Sequence, residues 1–443
     1  MTKDEIQEYM HKKLVQSGAD DVVVGLEGGK KTQVKFANNN FVATQTWDAM
    51  SMGIFASFGR KIIFTNLDDI SKETADNKIK HILKFVKTMS PNENYKGIYP
   101  GPFKYKKLDN NYDKQIENLS DKSVDLVQAG INAALDAGAK RASGVFEFGR
   151  TFSNLKTSKG SVCNQQGTEY YFSIRAHSDK EASGYANQVG RLLKSCDTEN
   201  AGKEAGLDSV KAKNPEHIDA GKYDIIMTPY PFANLLDNFG MATSISAVEG
   251  GWSCLGGKIG KKIMPSFVSI NDNARLNEGL HSTMCDAEGC PSQNTEIVSK
   301  GVLKTYLHNY STSVRYKTKT TGNAGLVSPE VTNIEISAGK ESTKKMLSDF
   351  TGLVITNVWY TRFQNYTTGD FSTIPRDAIL LYKNGKFVKS VKDIRIADNL
   401  LNMFNSISKL SKERVQQNGW EVETPIYCGS ALMKKVNVSR STG

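Results

Sequence analysis

Two passages of the chain share one design: SGADDVVVGLEGGKKTQVKF (residues 17–36) and AGAKRASGVFEFGRTFSNLK (residues 137–156). Each begins at a Gly-Ala pair, runs into a strand-like segment, crosses a short glycine-bearing stretch and returns to strand-like residues. Each also follows a helical periodicity. The first helix is predicted over 4–17, with Ile6, Tyr9, Met10 and Leu14 on one face, and the second over 121–137. Helix, Gly-Ala, strand, turn, strand, occurring twice, predicts a duplicated αββ unit. In the first copy the strands are expected near 21–27, 31–37, 41–47 and 50–57. KIIFTN (61–66) then leads to Asp68 as the N-cap of a helix reaching about residue 88. Strands near 161–165 and 168–177 complete the second copy.

The intervening connector, SPNENYKGIYPGPFKYKKLDNN (90–111), is long and polar, and is expected to wrap the surface. CDTENAGKEAGLDSVKAKNPE (196–216) reads as a polar helix or linker at the domain boundary. This gives an N-terminal domain over 1–200, a linker over 201–220 and a C-terminal domain over 221–443. Beyond 221, one helix (about 230–247) is followed by short alternating segments at 266–270, 295–307, 332–338, 352–360, 379–388 and 430–438. Asn384-Gly385 and Lys300-Gly301 are hairpin signals. The expected class is α+β: duplicated αββ units on a mixed sheet, then a mainly antiparallel β domain.

At 443 residues the chain is long enough for two cores, and 39% hydrophobic with 23% charged residues is the balance of a globular protein. No apolar run approaches the roughly 20 residues needed to cross a bilayer. The N-terminus MTKDEIQEYMHKKLVQSGAD scatters its charges and has no signal-peptide core, so a cytoplasmic location is expected. Six dispersed cysteines (163, 196, 254, 285, 290, 428) are not a disulfide scaffold. The formal charge of +10 raises nucleic acid as a partner. Its lysines are spread out, however, and that pattern suits solubility better than a binding patch.

Ordered motifs in the second half carry a family resemblance. CDAEGCPSQNTEIVSKGVLKTYLHNYSTSVRYKTKTTGNAG (285–325) holds Asp286-x-Glu288-Gly289, Lys300-Gly301-Val302-Leu303 and Thr321-Gly322-Asn323. GLVITNVWYTRFQNYTTGDFS (352–372) adds Thr368-Gly369-Asp370-Phe371-Ser372, and KNGKFVKSVKDIRIADNLLNMF (383–404) closes the series. The chain resembles the TldD/PmbA family, the modulators of DNA gyrase, and within it the PmbA or TldE type of subunit. The resemblance implies a cytoplasmic zinc-dependent peptidase built from two related subunits and acting on unstructured peptides. In such a pair the TldD-type subunit carries His-Glu-x-x-x-His on a helix plus a cysteine ligand, and the PmbA/TldE type lacks them. The partner implied is a TldD-type chain in a heterodimer, or a second copy in a homodimer. The zinc would belong to the partner, with no cofactor in this chain.

The residues agree with that implication at TPYPFANLLDNFGMATS (228–244), where the metal helix would lie. The ligand positions fall at Asp237, Asn238 and Ala242. Catalytic zinc needs three protein ligands, an open position and a base; alanine offers no ligand and asparagine no base. Elsewhere, His281, Cys285, Asp286, Glu288 and Cys290 crowd one stretch but lack the second ligand pair of a zinc site, and a turn is the better reading. Cys428 reads as a packed thiol. The remaining candidates, for peptide contact or for structure, are Asp286, Glu288, Gly289, Thr321, Gly322, Asn323, Gly369 and Asp370. The alternatives are an independent homodimeric hydrolase using Asp237 with His281, and a basic nucleic-acid-associated factor.

Overall fold

The computed structural model describes residues 1–440. Its N-terminal unit runs α1 (Lys3–Gln16), β1 (Asp21–Ala37), β2 (Asn40–Phe58), β3 (Lys61–Leu67), α2 (Lys72–Val86), α3 (Lys114–Glu117), α4 (Lys122–Asp136), β4 (Arg141–Thr157), β5 (Val162–His177), β6 (Ser183–Gly190) and α5 (Thr198–Lys211). Thr2 and Glu5 close a capping box on α1. The two helices preceding the repeated passages end at Gly18 (φ +90°) and Gly138 (φ +102°), left-handed positions an offset of 120 residues apart.

That offset recurs in the strand register. Asp21 pairs with Ser57, and Arg141 with His177. The two copies meet along β1 and β4, antiparallel, with Lys30 opposite Arg150, itself 120 residues on. The expected duplication is therefore present, and a pseudo-twofold axis passes between Lys30 and Arg150. Such an axis requires the equivalent strands to pair antiparallel. The six-stranded sheet β3-β2-β1-β4-β5-β6 is antiparallel throughout, rather than mixed.

Three pairs of expected strands, 21–27 with 31–37, 41–47 with 50–57 and 161–165 with 168–177, are each one long strand. Gly28-Gly29, which read as a turn, sits mid-strand where the sheet is tightly crossed. A Cβ on Gly28 would lie 2.5 Å from the Ala49 carbonyl oxygen, and one on Gly29 2.1 Å from that of Arg150. The α2 N-cap is Ser71 rather than Asp68, because the Ser71 hydroxyl accepts from the Thr74 N–H. Apolar faces of α1 and α2 cover Val22, Val24 and Ile54 in one core, while Val127 and Ile131 of α4 cover Phe146 and Phe172 in a second.

The segment read as a linker begins inside α5, so residues 201–211 are helical. Gly202 packs against α4 so closely that a Cβ would stand 2.0 Å from the Gly130 carbonyl oxygen. Gly202→Val is accordingly expected to destabilise the protein by about 3 kcal/mol through overpacking. Urea titration checks this, and an unchanged midpoint would refute the close helix crossing.

The C-terminal unit contains β7 (Gly221–Met227), α6 (Pro229–Ala242), α7 (Ile245–Glu249), β8 (Ile270–Asn273), β9 (Asn294–Ser299), β10 (Val302–Leu303), α8 (Tyr310–Arg315), β11 (Ile334–Ile336) and α9 (Thr343–Leu347). There follow β12 (Gly352–Asn365), β13 (Asp370–Lys383), β14 (Lys386–Ser390), β15 (Ile394–Asn399), α10 (Leu400–Asn405), β16 (Ile407–Leu410), β17 (Val415–Gly419), β18 (Val422–Cys428) and β19 (Ala431–Arg440). One sheet is ordered β10-β9-β8-β11-β18-β17. The other, β12-β7-β19-β15-β13-β14, closes a ring through pairing of β12 with β13. Pairing is mainly antiparallel, with parallel exceptions at β11–β18 and β7–β12.

The helix expected over 230–247 ends at Ala242 and restarts at Ile245, and the strand expected at 266–270 starts only at Ile270. Helix α6 lies in the main core, where Phe232 and Phe239 pack on Phe404, and Ile334 and Ile426 belong to the same cluster.

The connector does not merely wrap the surface. Tyr95 and Ile98 are buried, the Tyr95 hydroxyl donates to Asp21, and the Tyr105 hydroxyl donates to the Gly289 carbonyl. It is a seam between the two units. At the outer edge of β5 its Asn111 carbonyl accepts from the Thr168 N–H, and a loop of the C-terminal unit completes the cover, with Gln165 bonding Thr283 and the Met284 N–H. The pseudo-symmetric edge, β2 before Met52, pairs only with β1 among the described residues and leaves Phe41, Val42 and Trp47 exposed.

Candidate functional site

Helix α6 starts at Thr228, with Pro229 in its first turn, where a missing N–H costs nothing. Almost every residue from Tyr230 to Gly240 is buried. Asp237 is 3% exposed, and neither carboxylate oxygen is free. Oδ2 accepts from the Glu423 N–H at 2.9 Å and Oδ1 from the Thr424 N–H at 3.2 Å, holding the start of β18. Burial raises its pKa, although these donors favour the ionised form.

Asn238 donates to the Asn234 carbonyl at 2.8 Å, one turn back, while Asn234 donates to the Glu421 carbonyl and accepts from the Thr361 hydroxyl at 2.6 Å. Ala242 brings no donor atom. Cys428 is fully buried at the other end of the helix, its thiol donating to the Pro229 carbonyl at 3.4 Å, with its pKa pushed up by burial. Zinc does not fit this donor set, because the one carboxylate is spent on backbone and its neighbours cannot ligate. Among the described residues no three His, Cys, Asp or Glu side chains converge in a metal-holding group.

The acidic and Thr-Gly-Asn motifs, far apart in sequence, form one buried knot. Asp286 accepts from the N–H groups of Glu288, Cys290 and Ala324. Glu288 accepts from the Tyr310 N–H at 3.1 Å. Thr321 caps the His308 N–H at 2.8 Å, and Asn323 donates to Asp272 and to the Glu330 carbonyl. Gly289 (φ +79°) and Gly322 (φ +67°) turn the chain through the knot. The polar atoms are consumed within the chain.

Gly369 lies over Cys254 at the β12–β13 turn, where Asp370 accepts from Thr368 and Asn399; these bonds lower its pKa. His281 is also unavailable as the partner of Asp237 in a hydrolase: Asp237 is bound to β18, and His281 lines a different pocket, beside Arg191 and Gln165.

Burial dominates the electrostatics of the knot. It pushes the Asp286 carboxyl up to about 7 and Asp272 to about 6, and also raises Glu288 well above the ordinary carboxylate range. A carboxyl raised in the folded state binds protons there that the unfolded chain has released. Its stabilising contribution is therefore full only below the ordinary carboxylate pKa and is lost as pH rises from there through about 7. The unfolding free energy from urea titration should accordingly be higher at pH 5.5 than at pH 8, by on the order of 1–2 kcal/mol, and Asp286→Asn should flatten the dependence. A rise in stability from pH 5.5 to 8 would contradict this account.

A large concavity lies elsewhere, between the units. A cleft of about 910 Å³ runs between β6, the edge of the N-terminal sheet, and β17, the edge of a C-terminal sheet. Its ends are set by the α6 N-terminus, where Tyr230 lies 5.1 Å from Tyr185, and by the Asn187 side chain donating to the Asn418 carbonyl at 2.8 Å. None of these residues stood out in the sequence. They come from segments scattered between Tyr170 and Ser430 with no common motif, and only the strand ends hinted at unpaired edges.

Residues 220–440, half of the chain, match the PmbA/TldA metallopeptidase C-terminal domain, and this match places the chain in the PmbA/TldD family. An uncharacterized protein of Methanocaldococcus jannaschii is 28% identical over 413 residues, covering 90% of this chain and 95% of its own length. Metalloprotease PmbA of Escherichia coli O157:H7 is 27% identical over 263 residues, 58% of this chain and 54% of its own, so the match spans about half of that relative. The fold is shared with TldE from Thermococcus kodakarensis, at a TM-score of 0.87 and 19% identity, covering 98% of this chain and 100% of that one. Among the described residues no helix is long and apolar enough to cross a membrane.

Proposed function

We propose that this chain is the non-metal-binding subunit of a TldD/TldE-type zinc metallopeptidase. In this reading it works in the cytoplasm beside a TldD-type partner that supplies the zinc, and it contributes part of the surface that receives unstructured peptide. The single observation that carries the reading is Asp237. At the position of a metal ligand in a peptidase family stands a carboxylate whose two oxygens are bound by the N–H groups of Glu423 and Thr424. The names of the relatives, metalloprotease PmbA and TldE, support the family side of the argument. The inter-unit cleft, bordered by two unpaired strand edges, supports the peptide side. Dispersed lysines favour nucleic acid less than this.

The test combines the purified chain with a TldD-type relative. A stable complex whose chelator-sensitive peptide cleavage exceeds that of the partner alone is the expected result. The chain by itself should hold no stoichiometric zinc by elemental analysis. Stoichiometric zinc with chelator-sensitive cleavage by the isolated chain would overturn the proposal, as would the absence of any complex.

A further inference from the structure

Two independent features single out the cleft between β6 and β17. The first is charge. In a chain of formal charge +10, the cleft walls carry Glu204, Asp208, Glu278 and Glu413 against Lys211, with Lys194 paired to Glu278 at 3.7 Å. The second is an unfilled hydrogen-bonding site. Gln417, on β17, is 6% exposed and lines the cleft, and its carboxamide oxygen has no hydrogen-bond partner among the described residues. The preceding side chain, Gln416, is by contrast fully used, accepting from the Leu280 N–H and donating to the Glu278 carbonyl. A buried carboxamide oxygen without a donor is costly, and it is satisfied when a ligand N–H arrives.

The backbone gives the ligand its form. Both β6 and β17 end their sheets, so each has one side without a strand partner, and on β17 the Asn187 side chain already occupies the Asn418 carbonyl. An extended chain can add to such an edge by main-chain bonds, whatever its sequence. The five residues of β17 (Val415–Gly419) span about 17 Å. We infer that this cleft binds an extended, unfolded peptide rich in lysine or arginine, with Gln417 accepting one of its N–H groups and the cleft carboxylates receiving its cationic side chains. The inference rests on the reading of this chain as the peptide-contacting half of a peptidase, and adds a substrate class to it. Burial raises the Asp208 carboxyl to about 6, and a ligand cation beside it would bring it back down. The positive charge of the remainder of the molecule disfavours non-specific capture of a cationic peptide, so saturable binding would report the cleft.

The test is fluorescence anisotropy with the full chain and three labelled, unstructured octapeptides of similar length: Lys/Arg-rich, Ser/Asn-rich and Glu-rich. The cationic peptide should bind saturably and at least about tenfold more tightly than the neutral one. The double variant Glu278→Gln/Glu413→Gln, at two partly exposed positions, should lose about tenfold for the cationic peptide and leave the neutral one unchanged. Gln417→Leu should weaken all peptides that bind, because it removes a backbone acceptor. Equal affinity for neutral and cationic peptides would overturn the inference, as would cationic binding indifferent to the double variant while its thermal unfolding matches the parent. The two proposals fail separately. Cationic selectivity without complex formation sinks the subunit role alone, and complex formation without selectivity sinks only the assignment of the cleft.

Discussion

Replacing Asp237 with alanine is expected to lower stability by about 3 kcal/mol, because it strands two buried backbone donors, the N–H groups of Glu423 and Thr424. Part of the loss is offset, since the carboxylate itself is unfavourably buried and its pKa is raised. Asp237→Asn keeps one acceptor and should cost about 1 kcal/mol. Chemical denaturation of the parent and both variants, with and without chelator, measures this. The three midpoints should be spaced in that order and should not respond to chelator. A parent whose midpoint drops on metal removal would mean that the carboxylate serves a cation after all.

The second large effect concerns Arg191, which directly follows β6 and is 5% exposed. Its guanidinium donates to the carbonyls of Gly279 at 2.8 Å, Thr168 at 3.2 Å and Leu280, so one buried cation ties the N-terminal sheet to a C-terminal loop. It has no carboxylate within ion-pair distance among the described residues, and burial lowers its pKa to about 10. Arg191→Met leaves three carbonyls short of a donor and relieves the desolvated charge. The charged hydrogen bonds outweigh that relief, with an expected net loss of about 2–3 kcal/mol. The signature should be local as well as global: amide exchange around residues 279–285 should accelerate more than in the α1–α2 core. Arg191→Lys, with one donor group instead of a fork, should fall between. Uniform acceleration across both units would refute the role of Arg191 as a tie between them.

Much of this architecture could be read from periodicity. The αββ duplication was legible because Gly18-Ala19 and Gly138-Ala139 follow amphipathic helices that must stop before a strand begins. The Asn384-Gly385 hairpin was legible because a two-residue turn demands those residues, and both indeed take positive φ. Strand continuity was not legible. Gly28-Gly29 marks a turn in most sequences, and only the close approach of Ala49 and Arg150 shows why glycine is needed mid-strand. Nor was the direction of the sheet, which follows from a symmetry axis that no local pattern encodes.

At the site, the incompatibility of Asp237, Asn238 and Ala242 with a metal followed from side-chain chemistry alone. What Asp237 does instead could not be foreseen, since its partners lie 186 and 187 residues away. The cleft was illegible for the same reason: the Gln417 oxygen becomes unusual only once folding has buried it.

The dyad between Lys30 and Arg150 has one more consequence. Equivalent edges joined in antiparallel register are what two separate polypeptides would form as an isologous dimer. The N-terminal half is thus arranged as a symmetric dimer would be, with both halves on one polypeptide, and that linkage makes its cohesion independent of dilution. Freed from its twin, either half would display a long bare β1-type edge and would have every physical reason to find another copy of itself.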